Sequence, residues 1–522
     1  MMSRARAGAA AGLMVLVLAM GGCADGNPMQ PPIVEPQPQR PTLPQDYRAS
    51  GHAAAGDVFV HLFEWKWPDI ARECEAVLGP AGYKAVQVSP PQEHLVQPNA
   101  PWWQRYQPVS YSVARSRSGT AGQFSDMVSR CKAVGVDVYV DAVINHMTAG
   151  AGTGSNGTAY TKYNYPGLYS QAEFHPACSV TDYTNAANVQ DCELLGLSDL
   201  NTGLASVQQK TADYLVSLVR MGVAGFRIDA AKHIQPVELD AILDRVNTTL
   251  AAEGRPLPYW FAEVIDNGGE AVKREHYYGL AYGTGGAADV TEFRYRGVGD
   301  KFLGGSGQRL VDLKNFSTVT WNLMPSDKAV VFLENHDTQR ISGIGYQDGQ
   351  TFRLANVWML AYPYGYPSVM SSYAHDRSSP AGRDAGPPSE GDATSDVACA
   401  GTLETATLGT WVCEHRDPMI LRMVGFRRAM AGTDLNRWWD NGANAIAFSR
   451  GDRGFVAISR EPAVYTASVP SGLSAGTYCD VLTGGKVGGA CAGTSVVVDA
   501  TGAVQLRIVE NSALVIHTGT RL

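Results

Sequence analysis

Four carboxylates stand at or directly after runs of β-forming residues, where a strand with a purely structural role needs no charge. They are Asp141, Asp229, Glu263 and Asp337. Because the carboxyl ends of parallel strands in a closed barrel meet at one face, we expect these side chains to converge there. Cleavage of a glycosidic bond requires one protonated carboxyl, which donates to the leaving oxygen, and one ionised carboxyl. The pattern therefore predicts glycoside hydrolysis at one end of a barrel.

The runs that must position these carboxylates alternate with helical patterns from about residue 57. Their high content of Val, Ile and Phe is typical of strands that are buried on both faces of a parallel sheet. Amphipathic stretches such as residues 204–221 predict the helices between them. The alternation predicts an α/β fold, a (β/α)8 TIM barrel, rather than an open sheet. The strand-like runs are residues 57–63, 85–89, 136–144, 225–229, 259–263 and 329–334.

Two segments do not follow this alternation. Residues 146–199 are rich in Gly, Thr, Asn and Tyr and lack a clear helix. A segment of this length predicts a small inserted B domain after the third strand rather than a loop. Residues 432–522 carry short alternating strand patterns and predict a C-terminal all-β sandwich domain. The barrel is then expected to comprise residues 51–145 and 200–431.

The N-terminus has the pattern of a bacterial export signal. Arg4 and Arg6 precede an apolar run that is too short to span a bilayer as a mature helix. The run ends at Cys23 in a sequence that resembles the lipobox of bacterial lipoproteins. We therefore predict a signal peptide over residues 1–23, a lipid anchor at Cys23 and an extended Pro-rich linker over residues 24–50. The alternative is a cleaved signal peptide followed by a disordered start. Either reading predicts a secreted or cell-surface protein.

Nine cysteines agree with an exported chain. With Cys23 assigned to lipid, eight remain, and no Cys-x-x-Cys pair indicates a zinc or redox site, so we expect four disulfides. The sequence alone leaves their connectivity open. Pairing of neighbours along the chain would join Cys74 with Cys131, Cys178 with Cys192, Cys399 with Cys413, and Cys479 with Cys491.

The charge balance limits the kinds of partner. The chain has 42 basic and 50 acidic residues and a net charge of −8, which argues against nucleic acid as the main partner. Its many tyrosines and tryptophans provide flat apolar faces of the kind on which sugars stack. The charge balance favours a neutral or cationic ligand.

Four segments resemble the signature regions of the α-amylase family, in that family's order and spacing. They are residues 141–146 (DAVINH), 225–233 (GFRIDAAKH), 261–264 (FAEV) and 332–337 (FLENHD). Residues 61–65, 87–91, 101–111 and 363–373 resemble the animal and actinobacterial branch of that family. The resemblance extends from about residue 57 to the C-terminus. It implies a barrel with an inserted B domain and a sandwich C domain, and endo-hydrolysis of α-1,4 bonds in starch-like glucans with retention of configuration.

The resemblance assigns roles to individual positions. Asp229 matches the nucleophile, Glu263 the general acid/base and Asp337 the third carboxylate, which binds sugar hydroxyls. Arg227 is expected to keep Asp229 ionised, and Asp141 to brace the floor of the site. The predicted substrate-binding residues are Trp102, Trp103, Tyr106, Gln107, His146, Leu194, Leu197, Arg227, Lys232, His233 and His336.

The family's ions are also implied. Calcium would be held by the side chains of Asn145 and Asp199 and by main-chain oxygens of Gln190 and His233. Chloride-activated members hold an anion with two arginines and an asparagine. Here Arg227 and Asn335 match, but Ser368 stands at the second arginine position, which predicts activity that is independent of chloride.

Three other interpretations compete with hydrolysis. A glucan transglycosylase of the same family would use the same residues. A glucan-binding protein without catalysis would be expected to lack Asp229 or Glu263, and both are present. The third of these interpretations is an unrelated barrel enzyme, because a fold alone does not define a function.

Overall fold

A closed barrel of eight parallel strands forms the centre of the computed structural model, which describes Leu43, residues 47–399 and residues 401–522. The predicted signal peptide, Cys23 and most of the predicted linker lie outside the described residues. Each strand pairs with its sequence neighbour, and β1 closes the barrel by pairing with β8. The predicted (β/α)8 fold is therefore confirmed. The strands are β1 Phe59–Leu62, β2 Ala85–Val88, β3 Asp137–Ala142, β4 Gly225–Ile228, β5 Tyr259–Ala262, β6 Asp289–Thr291, β7 Ala329–Val331 and β8 Tyr366–Ser371.

Six of these strands coincide with the predicted runs, and two are additional. Strand β6 has only three residues, and β8 contains Pro367, so neither presents a continuous apolar run. Their pairing with β5 and β7 defines them as strands. The interior is filled by a layer of side chains that includes Phe59, Tyr139, Phe261 and Tyr366, so the barrel is a packed core and the site must lie at its end.

Helices cover the outside of the barrel, as the amphipathic stretches predict. The predicted helix over residues 204–221 is present as Ala205–Arg220, with nine buried residues. Short 3-10 turns at Arg274–Tyr277 and Tyr282–Thr284 lie between β5 and β6 in place of a long helix. The main helices are Trp67–Glu73, Ala121–Ala133, Ala205–Arg220, Pro236–Ala252, Gly297–Leu303, Gln350–Ala361 and Pro418–Ala429.

The segment between β3 and helix Ala205–Arg220 folds as an irregular insert. Strand His146–Met147 pairs with Ser198–Asp199, which joins the two ends of the insert to each other. Its apolar residues, with Tyr165, Tyr169 and Phe174 among them, form a separate small core. A five-residue helix, Ala186–Gln190, was not anticipated. It begins where the side chain of Asn185 accepts from two backbone N–H groups, a local cap that stabilises a short helix.

The C-terminal part is a sandwich of two antiparallel four-stranded sheets, as predicted. One sheet has the strand order β9-β10-β11-β16 and the other β12-β15-β14-β13. Alternate residues point inward and form one apolar core between the sheets. The strands are β9 Leu435–Asp440, β10 Ala445–Arg450, β11 Gly454–Ser459, β12 Tyr465–Pro470, β13 Gly476–Cys479, β14 Ser495–Val498, β15 Ala503–Ile508 and β16 Ser512–His517.

Four disulfides join neighbouring cysteines, in the pairing that the sequence order suggested. Their Cα–Cα distances range from 4.9 Å to 5.7 Å, within the usual range. Disulfides of this number indicate folding in an oxidising compartment outside the cytosol. Within the described residues, no helix is both long and apolar enough to cross a membrane. The bonds are Cys74–Cys131, Cys178–Cys192, Cys399–Cys413 and Cys479–Cys491.

Candidate active site

The four predicted carboxylates lie at the carboxyl end of the barrel because of where their strands end. Asp141 is on β3, opposite Arg227 on β4. Asp229 directly follows β4, Glu263 directly follows β5, and Asp337 lies in the turn beyond β7. The structure therefore brings together residues that are almost 200 positions apart in the chain.

Arg227 joins three of these carboxylates. Its Nη1 lies 2.5 Å from Asp141 Oδ1 and 2.8 Å from Asp229 Oδ1, and its Nη2 lies 2.5 Å from Glu263 Oε1. The guanidinium is only 3% exposed, so little water screens these ion pairs. Asp229 and Glu263 thus lie on two sides of one guanidinium group.

The ion pair expected between Arg227 and Asp229 is present, but burial opposes its effect. Burial raises the pKa of Asp229 well above its ordinary value, and Arg227 acts in the opposite direction, while the charges of Glu263 and Asp141 raise the pKa further. Burial also raises the pKa of Asp141, again against Arg227. Burial thus favours the protonated forms of Asp229 and Asp141, and Arg227 offsets this effect in part.

Asp337 is the most exposed of the three predicted catalytic carboxylates. Its side chain keeps 36% of its surface accessible. The low-dielectric cleft raises the pKa of Asp337 to about 7, the nearby Glu263 charge adds to this, and Arg227 opposes it. His336 Nε2 lies 3.5 Å from Asp337 Oδ2. Asp337 is therefore placed to accept hydrogen bonds from a ligand in the cleft when it is ionised.

Three histidines around the site are held neutral. Burial lowers the pKa of His146 to about 4 and of His61 to about 3, and the pKa of His336 lies well below its ordinary value. His146 Nε2 lies 2.9 Å from the carbonyl oxygen of Tyr106, and the His336 ring stacks on the Tyr106 ring at 4.9 Å. A neutral imidazole can both donate and accept a hydrogen bond, as recognition of sugar hydroxyls requires.

His61, Asp141 and His336 offer ligand atoms within 4.8 Å of one another. Both carboxylate oxygens of Asp141 are already engaged, however: Oδ1 by Arg227 and Oδ2 by the Tyr106 hydroxyl at 2.9 Å. Asp141 is therefore held by contacts to Arg227 and Tyr106, and the bracing role stays a prediction.

The predicted aromatic residues form one wall of the cleft. Trp102 to Tyr106 form a 3-10 turn after Pro101, and the Trp102 ring meets those of Tyr106 and His336 edge-on at 5.8 and 5.7 Å. Trp103 instead packs partly on the core of the insert. Gln107 Oε1 accepts from the Ala149 N–H at 3.2 Å, which ties the wall to the insert.

Lys232 and His233 lie across the site from this aromatic wall. They contact Tyr183 and Glu270, two residues that were not predicted from the sequence. Lys232 Nζ forms an ion pair with Glu270 and lies 4.6 Å from the centre of the Tyr183 ring. The Tyr183 ring also meets His233 edge-on at 6.2 Å, and Tyr183 is 41% exposed. An exposed aromatic face beside charged hydrogen-bonding groups is suited to a sugar. Tyr183 lies in an irregular segment and Glu270 in a loop, so no periodic signal marks either residue.

Leu194 and Leu197 flank an exposed tip of the insert. Leu197 is 8% exposed, whereas Leu195 between them is 82% exposed and has a φ of +54°. Lys162 holds this tip through Glu193 and through the carbonyl oxygen of Gly196 at 3.2 Å. The tip is therefore fixed with Leu195 outward, while Leu197 is part of the interior.

The four predicted calcium ligands lie at the junction of the insert and the barrel. The side chains of Asn145 and Asp199 approach to 3.5 Å, Nδ2 to Oδ1. Helix Ala186–Gln190 contacts the turn Ala231–His233, and His233 Nδ1 lies 2.8 Å from the carbonyl oxygen of Val189. Asp199 is only 2% exposed. His175 Nδ1 lies 2.7 Å from its Oδ2, and a divalent cation at Oδ1 would add to the compensation of this buried charge. A carboxylate, an amide and main-chain carbonyls are the hard oxygen donors that Ca²⁺ prefers, so these residues fit the ion.

A cavity of about 20 Å³ lies beneath the site, and Arg227, Asn335 and Ser368 are among its lining residues. This is space for about one water molecule. Asn335 Oδ1 accepts from the N–H groups of Asp337 and Thr338, so this amide shapes the turn that carries Asp337. Ser368, on β8, supplies no positive charge to the cavity.

A (β/α)8 barrel with buried carboxylates converging at its carboxyl end around one arginine defines a glycoside hydrolase. The sequence matches the family descriptions "Alpha amylase, catalytic domain" over residues 82–369 and "Alpha amylase, C-terminal all-beta domain" over residues 438–519. The chain belongs to the α-amylase family.

Relatives match along almost the whole length of the chain. The alpha-amylase of Tribolium castaneum is 43% identical over 486 residues, which cover 90% of this chain and 96% of the relative. Pancreatic alpha-amylase 2a5 of Mus musculus is 42% identical, with 89% and 94% covered. The solved structure of a mutant of alpha-amylase I from Eisenia fetida, a maltohexaose complex, superposes with a TM-score of 0.80 at 39% identity and covers 91% of this chain and 99% of its own.

Proposed function

We propose that the chain is an extracellular α-amylase that hydrolyses internal α-1,4 bonds of starch-like glucans with retention of anomeric configuration. The observation that carries this proposal is the position of Asp229 and Glu263 on either side of the Arg227 guanidinium. The short span of one guanidinium favours the closely spaced carboxyl pair of a retaining enzyme. The maltohexaose bound by the Eisenia fetida relative supports an α-glucan as the substrate.

In the first step, a carboxylate oxygen of Asp229 attacks the anomeric carbon of the sugar. The bond from that carbon to the leaving oxygen breaks, and Glu263 donates its proton to this oxygen. In the second step, Glu263 takes a proton from water, and the water oxygen displaces Asp229 from the anomeric carbon. Glu263 also accepts from the Ala230 N–H at 2.9 Å, which fixes the carboxyl group in the orientation that both proton transfers need.

The remaining residues hold the sugar. Asp337 is placed to bind hydroxyls of the ring that reacts, and the neutral imidazoles of His146 and His336 are placed to exchange hydrogen bonds with it. Trp103 and Tyr106, with Trp102 beside them, bind the glycone side of the chain, and Lys232 and His233, with Tyr183, bind the aglycone side. Fixing the substrate in this way lowers the entropy cost of reaction.

Asn145, Asp199, Gln190 and His233 would hold calcium. The ion would supply a fixed positive charge that ties the insert to the barrel close to His146, and it would thereby stabilise this wall of the cleft. The proposed role is structural, and the bond-breaking steps belong to the carboxylates.

The chain is expected to act without chloride. Only Arg227 supplies a cation to the cavity that Ser368 lines, and a buried anion there would lack sufficient compensation. Addition of 100 mM sodium chloride to dialysed enzyme should change kcat by less than about twofold, with sodium acetate as the control for ionic screening. A rise of about tenfold that is specific to chloride would contradict this prediction.

We also propose that the protein is a monomer attached to the cell surface through Cys23. The lipobox-like sequence and the Pro-rich stretch after it support the anchor. Incorporation of labelled palmitate into the expressed chain, and its loss in Cys23→Ser, is the direct measurement.

The proposed activity can be tested by proton NMR of the first product formed from a maltooligosaccharide. We expect the α-anomer to appear first and then to mutarotate, because two displacements at one carbon retain its configuration. An initial β-anomer would contradict the role of Asp229. Products longer than the substrate would instead identify a transglycosylase, and no product from folded enzyme would favour a glucan-binding role.

A further inference from the structure

Arg340 is a buried arginine beyond β7, three positions after Asp337, and it is 2% exposed. Its Nε donates to the carbonyl oxygen of His336 at 3.2 Å. Its Nη1 donates to the carbonyl oxygens of Arg383 and Ala385 at 2.8 and 3.2 Å, and Nη2 donates to the Tyr373 hydroxyl at 2.7 Å. One side chain thus links the backbone of a proposed sugar-binding residue to a separate segment of the rim.

The guanidinium is also enclosed by aromatic rings. Its central carbon lies 4.9 Å from the centre of the Trp102 ring, 5.4 Å from that of Tyr373 and 5.9 Å from that of Phe63. The Trp102 Nε1 donates to the carbonyl oxygen of Arg383 at 3.0 Å, the same oxygen that Arg340 binds. The orientation of the Trp102 ring is therefore set jointly by Arg340 and by the segment that contains Arg383.

Arg340 has no carboxylate within ion-pair distance among the described residues. A buried cation without a counter-ion is costly. Because no carboxylate neutralises it locally and little water screens it, its positive charge acts on more distant groups. It lowers the pKa of Asp337, against the effects of burial and of the Glu263 charge. It also contributes to the lowered pKa values of His336 and His375, for which burial is the main cause.

The other groups that face Asp337 come from three strands and the aromatic wall. On this carboxylate, Glu263 and Asp141 raise the pKa, and Arg227 and Arg340 lower it. Tyr106 and His336 also lie close to it, but both are uncharged at neutral pH. The charges of Arg340 and Arg227 both favour ionised Asp337, and Arg227 is already paired with three carboxylates.

We propose that Arg340 is a positioning residue for the glycone side of the cleft. Its fork of donors fixes Trp102 and the backbone of His336, and its buried positive charge lies three positions from Asp337, at the end of the same turn. This inference rests on the proposed hydrolysis. It adds one residue that both orients Trp102 and the His336 backbone and contributes a positive charge near Asp337.

Two substitutions of Arg340 separate the effect of its hydrogen bonds from the effect of its charge. Arg340→Lys keeps the positive charge but has neither the planar fork nor the same set of donors. Arg340→Met keeps a long side chain and removes both charge and donors. Tyr373→Phe removes one hydrogen-bond partner of Arg340 without changing charge, and it remains informative if Arg340→Met does not fold. Arg377→Met is the matched control, because Arg377 binds the carbonyl oxygen of Gly343 in the neighbouring loop.

The measurement is kcat and KM for a maltooligosaccharide between pH 4 and 9, on variants whose melting temperatures show that they are folded. We expect KM to rise about tenfold in Arg340→Lys and in Arg340→Met, and less in Tyr373→Phe, because the sugar wall loses its orientation. The acid limb of kcat/KM should move to higher pH by about half a unit or more in Arg340→Met alone. Loss of a positive charge favours protonated Asp337, and protonated Asp337 cannot accept from sugar hydroxyls.

Unchanged KM in the folded Arg340 variants, or the same shift of the acid limb in Arg377→Met, would overturn the inference. The wild-type enzyme must first produce the α-anomer in the NMR experiment. If it does so and the Arg340 variants match it, the inference alone is wrong. If the wild type forms no product, the proposed function fails.

Discussion

Asp229→Asn is expected to lower kcat on maltooligosaccharides by about 10⁴-fold or more, because an amide cannot form the covalent glycosyl intermediate. Glu263→Gln should cause a loss of about 10²–10⁴-fold, since proton donation to the leaving oxygen disappears while the nucleophile remains. Steady-state assays on a starch and on a maltooligosaccharide measure both. Asp452→Asn, at a carboxylate that is 72% exposed, is the matched control and should retain wild-type activity.

The two roles can be distinguished with substrates that carry a good leaving group and with azide. An aryl maltoside needs little proton donation, so Glu263→Ala should lose less activity on it than on maltooligosaccharides. Azide should then attack the intermediate held on Asp229 and give the α-glycosyl azide. In Asp229→Gly, azide can occupy the space of the lost carboxylate and should give the β-glycosyl azide in one displacement. Identical products from both variants would contradict the assignment of nucleophile and acid.

Removal of calcium is expected to lower the melting temperature by roughly 5 °C or more. A ligand at a thousandfold excess over its Kd stabilises the folded state by about 4 kcal/mol, and a loss of this size displaces Tm by several degrees. Differential scanning calorimetry with and without a chelator measures the change. Because the ligands join the insert to the barrel beside His146, activity should fall together with stability.

Asp199→Asn should reproduce the lower melting temperature and make it insensitive to the chelator. Asp213→Asn, on the exposed face of helix Ala205–Arg220, is the control and should respond to the chelator like the wild type. Terbium luminescence provides a second readout that does not depend on activity: wild type should bind the ion and Asp199→Asn should not. A wild-type melting temperature that the chelator leaves unchanged would be evidence against calcium at these residues.

The acid limb of the pH profile is expected to depend on both Asp229 and Asp337, because burial raises the pKa of each and both act in the ionised form. Since the pKa of Asp337 is raised to about 7, it is ionised above this pH and gains a proton as the pH falls through it. Activity that depends on its ionised form is therefore present on the alkaline side and lost on the acid side. Substitution of Arg340 is expected to move this limb without a change in any carboxylate, because its charge lowers the pKa of Asp337.

Much of the fold and the position of the carboxylate cluster could be predicted from local sequence patterns. Runs of β-branched and aromatic residues predict six of the eight barrel strands, and the polar residues that end them locate the carboxylate cluster. Strands β6 and β8 were not predicted, because a three-residue segment and one that contains Pro367 become strands only when neighbours on both sides supply hydrogen bonds. Helix Ala186–Gln190 was missed because five residues are too few for a periodic pattern.

Local sequence patterns are enough to identify the residue types that could perform the chemistry and their order along the chain, because strand pattern and carboxylate position are local properties. The balance of charges in the site depends on tertiary contacts. Arg227 bridges three carboxylates, and Tyr183 and Glu270 meet Lys232, only through contacts between distant segments. The same is true of Arg340, which is buried without a carboxylate partner in the part of the chain that the structure describes. Burial and charge pairing set the protonation of each group, and both exist only after the chain has folded.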